Sequence, residues 1–359
     1  MKKTFKVLVV LLITLVLVAC GPAKPGGGNG DDEPIKVALL VQLLGDLSFN
    51  DSAQQGMDKA VKDFGMEINT IEYGTDISKE EASLIDAADS GYDIIIAPSN
   101  FEGYFTQHAP SYPDITFILF DATVDYDAAD LKNVYSIVYS ANEASFAAGY
   151  LAAKESKSGV IGFLGGEEAP VINDFLVGYI EGAKQANPEI KVAISFVGNW
   201  SDSAKGKELT LAMNNQKADV VFAAAGGAGM GMFEAAVEKD FKVIGVDDDQ
   251  AMVFAESGKT DFAEVTMSSV MKNVGDSLYR ALDLYKKNEL KAGAADVLGI
   301  KENGVGLADN EYYKASVSEE IRTDVAEFVE KISSGEIKVT SYYGMEQKAF
   351  TDLKNSVRP

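Results

Sequence analysis

The sequence predicts an α/β protein built from two doubly wound lobes. Two observations carry this prediction: short apolar, β-branched runs each precede a segment of helical periodicity, and the pattern recurs as two separate series. Strands that are apolar throughout, each followed by a helix, are typical of parallel sheets covered on both faces. The length of 359 residues also suits two domains, since a domain has about 150 residues.

The two series can be followed along the chain. The first contains VALLV, INTIEY, DIIIAP and TFILFD, and VALLV is followed by apolar residues at the i, i+3, i+4, i+7 spacing of one helix face. The second contains VIGFLG, VAISFVG, DVVFAAA and KVIGVD, with a helical segment after each of the first three. Each series therefore predicts one Rossmann-like lobe.

Three segments predict crossings between the lobes, and therefore a three-strand hinge. The chain should pass to the second lobe through VYSIVYSANEAS, return through FAEVTMSS, and cross again through GIKENGVGLADNEYY. We expect residues 35–138 and about 267–292 to form the N-terminal lobe. Residues 139–266 and about 293–359 should form the C-terminal lobe. Ligands of open parallel sheets bind beyond the carboxyl ends of the strands, so both sets of loops should face one cleft.

The first 34 residues predict a secreted lipoprotein. Residues 1–19 join the basic start MKKTFK to an apolar stretch that stops at Ala19-Cys20, which is the layout of a signal peptide. The quartet LVAC resembles the bacterial lipobox, in which the cysteine is acylated and begins the mature chain, so Cys20 is the expected lipidation site. Residues 20–34, rich in Gly, Pro and acids, predict a flexible tether. We expect a lipid-anchored protein on the extracytoplasmic face of the cell membrane.

The composition argues against several functions. Loss of Lys2, Lys3 and Lys6 with the signal changes the net charge from −23 to −26, which disfavours nucleic acid as a partner. Cys20 is the single cysteine and His108 the single histidine, so zinc chemistry or a Ser-His-Asp triad would need His108, which we expect at the surface. GGAGMGMF and LGGEEAP match neither the dinucleotide nor the P-loop fingerprint. We expect no metal and no cofactor.

Six blocks, in order, resemble the basic membrane protein family. They are the lipobox, GDLSFNDSAQQG, EASFAAGYLAAKES, GFLGGEEAPVINDFLVGYIEGAK, AAAGGAGMG and IGVDDDQ. These bacterial lipoproteins are similar to type I periplasmic-binding proteins, and the PnrA-like members bind purine nucleosides for ATP-driven import. The resemblance implies a solute-binding component of an ABC importer and no enzymatic activity. Guanosine, inosine or adenosine would be the ligand, and permease subunits the partners. The stretch after about residue 308 matches no motif.

Two loop aromatics are candidate walls of a ligand site. Whether Asn50 or Ser52 begins the helix after VALLV, Phe49 lacks an apolar partner for a hydrophobic staple. Stacking on a flat ligand therefore explains Phe49 better than local packing does. Trp200, the single tryptophan, follows the strand VAISFVG and either forms the opposite wall or covers the edge of its lobe. A flat ligand between these rings would bind the closed form better than the open form.

The resemblance implies roles for polar residues near strand ends. Asp121, which ends TFILFD, would accept hydrogen bonds from the ring N–H and the exocyclic group of a purine. Gly227, with Gly226 and Gly229, would let the ligand approach the backbone. The residues that would hold the ribose hydroxyls are Asp46, Asn50, Asp247 and Lys272.

The residues themselves leave alternatives open. Sugar-binding and flavin-binding proteins also use aromatic walls, acids and amides. A nucleoside hydrolase would use Asp46, Asp121 and Asp247 together on a metal or a water, although these acids lie in separate units of the sequence. A surface sensor would signal through a partner instead of delivering its ligand. The sequence has no amphipathic stripe that indicates a dimer seam, so we expect a monomer.

Overall fold

The computed structural model describes residues 33–359. The predicted signal peptide, the lipidation site Cys20 and the tether up to residue 32 lie outside the described residues. Within residues 33–359, none of the helices has the length and apolar character needed to cross a membrane.

Two six-stranded sheets form the framework and confirm the predicted α/β fold. The first sheet has the order β11-β5-β4-β3-β1-β2, and its described pairs are parallel. The second has the order β12-β10-β9-β8-β6-β7, and β12 runs antiparallel to β10. The first contains β1 Lys36–Val41, β2 Glu67–Glu72, β3 Ile94–Pro98, β4 Thr116–Phe120, β5 Val134–Tyr139 and β11 Ala294–Leu298. The second contains β6 Val160–Gly165, β7 Lys191–Phe196, β8 Val220–Ala224, β9 Lys242–Asp247, β10 Thr266–Lys272 and β12 Val305–Leu307.

Helices connect the strands and cover the sheets, as the alternating pattern predicts. The inner strands are buried nearly throughout, which explains why they are apolar runs in the sequence, whereas the edge strands β2 and β11 are largely exposed. The helices of residues 33–158 are α1 Phe49–Phe64, α2 Glu80–Ala88, α3 Glu102–His108 and α4 Ala141–Glu155. Those of residues 159–273 are α5 Pro170–Ala186, α6 Ser203–Asn215, α7 Met230–Lys239, α8 Gln250–Glu256 and α9 Thr260–Val265. The remaining helices are α10 Val274–Lys286, α11 Glu311–Ser316, α12 Glu319–Ser333 and α13 Gln347–Ser356.

Two of the expected lobe boundaries are shifted. Strand β10, expected in the N-terminal lobe, lies in the second sheet, where it pairs with β9. Strand β11, expected in the C-terminal lobe, lies in the first sheet beside β5. In both cases the chain crosses to the other lobe after the strand ends. Each strand therefore belongs to the sheet that the chain is leaving, at or next to the edge of that sheet.

The three crossings lie side by side. The chain passes to the second lobe at Ser140, returns at Asn273 and leaves the first sheet again after Leu298. The backbone N–H of Ser140 donates to the carbonyl of Leu298 at 3.0 Å, and that of Asn273 donates to Gly304 at 2.9 Å. These backbone bonds tie the crossings into one three-stranded hinge.

Close helix contacts hold the returning segment on the first lobe. Helix α10 packs on α1, where an added Cβ at Gly56 would lie only 2.3 Å from the carbonyl oxygen of Gly275. Glycine is required here because the two backbones approach without room for a side chain. The segment after β10 therefore packs on the first lobe from Val274 onward.

The C-terminal stretch that matches no motif packs on the second lobe. The backbone N–H of Val192 in β7 donates to the carbonyl of Val357 at 2.7 Å, and the side chain of Phe350 is fully buried. On the first lobe, the side chain of His108 is 19% exposed and its Nε2 lies 2.7 Å from Oε1 of Glu81. His108 is thus half-buried and not simply a surface histidine.

Candidate functional site

Three charged side chains from strand ends meet between the lobes. Asp121 follows β4 in the first sheet, while Asp247 and Lys272 end β9 and β10 in the second. The Lys272 Nζ lies 2.8 Å from Asp121 Oδ2 and 3.9 Å from Asp247 Oδ1. Since Lys272 comes from the second lobe, its bond to Asp121 is an ion pair between lobes. Each of the three residues is at most 7% exposed.

The backbone turns sharply at both aspartates. Asp121 has a φ of 68° and Asp247 a φ of 66°, in the left-handed region. Aspartate tolerates this conformation better than most residues with a Cβ. Non-glycine residues held in such regions cluster at functional sites. At each of the two positions, the turn directs the carboxylate toward the Lys272 ammonium.

Burial dominates the electrostatics of the two carboxylates. It raises the pKa of Asp247 to about 6, against the opposing effects of Lys272 and a hydrogen bond from Ser48. Burial also raises the pKa of Asp121, and the charge of Lys272 opposes this shift. The site has one cation for two carboxylates, so it favours a ligand that brings hydrogen-bond donors over one that brings negative charge.

Aromatic rings surround the Lys272 ammonium. Its Nζ lies 5.0 Å from the ring centroid of Phe49, 4.9 Å from that of Phe175 and 5.8 Å from that of Tyr139. The Phe49 ring also packs on Phe120 at the end of β4, with 5.2 Å between centroids. The ammonium is therefore held by cation–π contacts as well as by Asp121.

Helix α1 begins at Phe49, so neither expected helix start was correct. Ser48 occupies the N-cap position but makes no side-chain cap. Its hydroxyl donates instead to Asp247 Oδ2 across the cleft at 2.5 Å. The sequence shows only a serine of the type that commonly caps helices. The serine does not cap the helix because its hydroxyl bonds a carboxylate of the other lobe.

Asp46 and Asn50 are bonded to each other at the start of α1. The Asp46 carboxylate accepts from the backbone N–H groups of Ser48, Asn50 and Asp51 at 3.0–3.1 Å and from the Asn50 amide at 2.9 Å. Two donors meet each oxygen, which fills the acceptor capacity of a carboxylate. In this conformation Asp46 serves as the cap that Ser48 does not provide.

Trp200 and Gly227 meet on the second lobe. An added Cβ at Gly166 would lie 2.4 Å from the Trp200 ring, so the indole lies directly on the loop after β6. The Trp200 carbonyl accepts from the N–H of Ala228 at 2.8 Å, next to Gly227. A Cβ at Gly227 would lie 3.7 Å from the Cβ of Asp46 in the first lobe. Gly227 is thus a point where the lobes touch.

Further bonds between the lobes show that the cleft is closed in this structure. The Gln250 amide donates to the carbonyl of Leu47 at 2.9 Å. The Gln55 amide donates to Asp248 Oδ2 at 3.1 Å. Together with the bond from Ser48 to Asp247, they join the start of α1 to the loop between β9 and α8.

The sequence analysis did not identify three residues of this site. Ser48 lies in a predicted loop, Tyr139 in a predicted crossing segment and Phe175 in a predicted helix. Phe175 has no local signal that separates it from the buried residues around it. Tyr139 ends β5, so its position at a strand's carboxyl end, the criterion that identified Asp121, was a usable signal.

Known proteins resemble this chain over most of its length. Residues 35–342 match the model of a family described as ABC transporter substrate-binding protein PnrA-like. Basic membrane protein A of Borreliella burgdorferi is 31% identical over 93% of this chain and 95% of its own length. The ABC transporter nucleoside-binding protein BmpA of Lactococcus lactis subsp. cremoris is 32% identical over 93% of this chain and 97% of its own.

A solved structure of an ABC transporter solute-binding protein from Aeropyrum pernix has a TM-score of 0.80, with 24% identity, and covers 90% of this chain and 98% of that one. At that identity the likeness shows the fold, which is that of type I periplasmic solute-binding proteins. The family match and the relatives above 30% identity confirm the resemblance found in the sequence. The chain belongs to the PnrA-like family of ABC transporter substrate-binding proteins, whose members act outside the cytoplasm.

Proposed function

We propose that this protein is the lipid-anchored component of an ABC importer that captures a purine nucleoside in the cleft between its lobes. The protein would be attached to the extracytoplasmic face of the membrane through Cys20. It would act as a monomer that delivers its ligand to permease subunits. The nucleoside-binding relative from Lactococcus lactis supports the ligand class.

The observation that carries the proposal is the meeting of two buried carboxylates, those of Asp121 and Asp247, at the single ammonium of Lys272. Among residues 33–359, Asp121 Oδ2 accepts from Lys272 and Asp247 Oδ2 from Ser48, and no donor makes a hydrogen bond to the second oxygen of either carboxylate. A ligand that supplies N–H and O–H donors would fill the acceptor capacity that these two oxygens leave open.

A purine nucleoside has hydrogen-bond donors at both of its ends. Its base offers a ring N–H or an exocyclic N–H to Asp121, and its ribose offers two vicinal hydroxyls to Asp247 and Lys272. The Phe49 ring, whose centroid lies 5.0 Å from the Lys272 ammonium, would stack on the base. Trp200, close to Gly227 on the other lobe, would cover the opposite side. Asp46 and Asn50 would reach the ribose after exchanging some of their present hydrogen bonds.

Calorimetry with a panel of ligands tests the proposal. We expect micromolar or tighter binding of guanosine, inosine or adenosine, and much weaker binding of ribose, free bases and riboflavin. Asp121→Asn keeps the size of the side chain but converts half of its acceptor capacity into donors, so it should weaken nucleoside binding at least tenfold. Binding of a sugar or riboflavin without any nucleoside would refute the proposed ligand.

Two further measurements test the absence of hydrolysis and the lipid anchor. Inosine incubated with the protein should be recovered intact, because we infer a binding protein and no hydrolase; release of free base would contradict this. Protein expressed in a bacterial host should partition with membranes and carry an acyl mass on Cys20. Cys20→Ser should release it, and an unchanged membrane fraction for that variant would contradict lipid anchoring.

A further inference from the structure

Gln250, the first residue of α8, lies where the loop after β9 meets the first lobe. The residue is 3% exposed, so its amide is buried. Its Nε2 donates to the carbonyl of Leu47 in the first lobe at 2.9 Å, and its Oε1 accepts from the backbone N–H of Val246 in β9 at 3.0 Å. One side-chain amide therefore joins a strand end of the second lobe to the backbone of the first.

The second lobe holds Gln250 in a fixed orientation. Besides the bond from Val246, the backbone N–H of Gln250 donates to the hydroxyl oxygen of Ser269 in β10 at 3.1 Å. An added Cβ at Gly245 would lie 2.6 Å from Oε1 of Gln250 and 2.7 Å from the Ser269 hydroxyl oxygen. The amide therefore fits only because position 245 has no side chain. Groups of the second lobe alone direct Nε2 of Gln250 toward the first lobe.

The first lobe holds the Leu47 carbonyl in an equally fixed turn. Leu47 has a φ of 50°, in the left-handed region that a leucine rarely adopts. Its backbone N–H donates to Oδ2 of Asp51 at 2.9 Å, and the N–H of Gly45 donates to Oδ1 of the same carboxylate at 2.7 Å. A backbone conformation of this kind persists only where the surrounding structure fixes it. Donor and acceptor are thus both in place before they meet.

The bond from Gln250 differs in chemistry from the bond that Ser48 makes between the lobes. Ser48 donates to Asp247, a carboxylate that the proposed ligand would also use. Gln250 and the Leu47 carbonyl are neutral groups, so their bond does not depend on the ionisation of the cleft. Opening of the lobes would separate this donor from its acceptor, because they belong to different lobes.

We propose that Gln250 is a positioning residue that holds the lobes closed and thereby slows release of the ligand, without touching the ligand itself. The inference rests on the proposed function for the identity of the ligand. Because the bond to Leu47 exists only while the lobes are together, it stabilises the closed form relative to the open form. Its effect on release should therefore be the same for every nucleoside that the cleft accepts.

Two variants of Gln250 test this role by stopped-flow measurement of inosine and guanosine dissociation. Gln250→Glu keeps an acceptor for the N–H of Val246 but loses the donor to Leu47, and Gln250→Met is neutral and of similar length but lacks the donor. Both should release each nucleoside at least fivefold faster than the wild type, by the same factor for the two ligands, and association should not become slower. Fast release by Gln250→Glu with release by Gln250→Met within twofold of the wild type would show an effect of charge and would overturn the inference.

Asn310→Asp is the matched control, because it is also a change from amide to acid beside the same loop. The Asn310 amide donates to Oδ1 of Asp249 at 2.6 Å, and its Oδ1 accepts from the N–H of Tyr313 at 2.9 Å, so the variant keeps an acceptor and loses a donor within one lobe. We expect a lower unfolding free energy in urea and release within twofold of the wild type. Release as fast as that of Gln250→Glu would show that loosening of the loop controls the rate, and the inference would be wrong.

Small-angle scattering of the ligand-free protein measures closure without any ligand. Both Gln250 variants should have a larger radius of gyration than the wild type, and an unchanged radius for both would overturn the inference. If the wild type binds no nucleoside in calorimetry, the proposed function fails, and the scattering comparison still decides whether Gln250 holds the lobes closed. If the wild type binds nucleoside and both variants release it as the wild type does, only the inference fails.

Discussion

Asp121 and Asp247 occupy equivalent places in the two lobes. Each lies at the carboxyl end of the strand that is third from the edge of its sheet, β4 in one and β9 in the other. Each has a left-handed φ, 68° and 66°, and each carboxylate faces the Lys272 ammonium, at 2.8 and 3.9 Å. The cleft therefore has a carboxylate from each lobe and one cation between them.

Phe49→Ala should weaken nucleoside binding tenfold or more. Stacking of a base on an aromatic ring contributes about 1–3 kcal/mol, and about 1.4 kcal/mol corresponds to one decade of affinity. Phe64→Ala is the matched control, because Phe64 ends the same helix and stacks on Tyr279 at 4.7 Å, away from the site. Calorimetry measures both variants, and equal affinity for the two would remove Phe49 from the pocket.

Asp247→Asn should stabilise the ligand-free protein at pH 7 but not near pH 4. The pKa of Asp247 is about 6 in the folded protein against an ordinary 3.8. Between these values the folded state keeps a proton that the unfolded chain loses, so the unfolding free energy falls as the pH rises through this window. Asparagine is neutral throughout and avoids the loss.

The expected gain at pH 7 is up to about 3 kcal/mol, since one pKa unit corresponds to about 1.4 kcal/mol. Urea unfolding of the wild type and the variant at pH 4 and pH 7 measures it. Asp248→Asn, next in the chain and bonded to Gln55, is the matched control for the loss of one carboxylate from this loop. A difference between wild type and Asp247→Asn that is the same at both pH values would contradict the prediction.

Ser48→Ala should reduce ligand affinity about fivefold or more. The hydroxyl is fully buried and bonds Asp247 in the other lobe instead of capping α1. Its removal leaves a buried acceptor without its donor, at a cost of about 1–3 kcal/mol in the closed form. Calorimetry and small-angle scattering would report weaker binding and a more open ligand-free protein.

Ser318→Ala provides the contrast for Ser48. Ser318 caps α12 through a bond from the N–H of Ile321 at 3.3 Å, so its loss should lower the unfolding free energy by about 1 kcal/mol. Ligand binding should not change. If Ser48→Ala behaves in this way instead, the serine acts as an ordinary cap.

Gly227→Leu should prevent full closure, whereas Gly227→Ala should be tolerated. A Cβ at Gly227 would lie 3.4 Å from the Trp200 carbonyl and 3.7 Å from the Asp46 Cβ, which leaves room for a methyl group and little more. We expect a larger radius of gyration with ligand and at least tenfold weaker binding for the leucine variant. Gly103→Leu, where a Cβ has open space, is the control. A leucine variant that closes and binds normally would show that this contact does not limit closure.

The sequence by itself determined the strands of the two predicted series and the helices that follow them, but not β11, β12 or the helices α11, α12 and α13. Periodicity is a local property, so the apolar runs and the helical faces can be read from neighbouring residues. Asp121 and Asp247 were predicted as site residues partly because they end such runs, and β4 and β9 end at or just before them. The family resemblance supplied the expected roles of these residues, which local periodicity does not indicate.

Only the tertiary structure decided which of these residues meet. Lys272 pairs with Asp121 across 151 positions, and Ser48 with Asp247 across 199. From neighbouring residues alone, Ser48 would be predicted to cap a helix, and β10 could be assigned to either lobe. Such partners depend on where the chain crosses the hinge and how the lobes close. Those contacts join groups that are far apart in the sequence and that only the whole fold brings together. A local pattern therefore does not predict them.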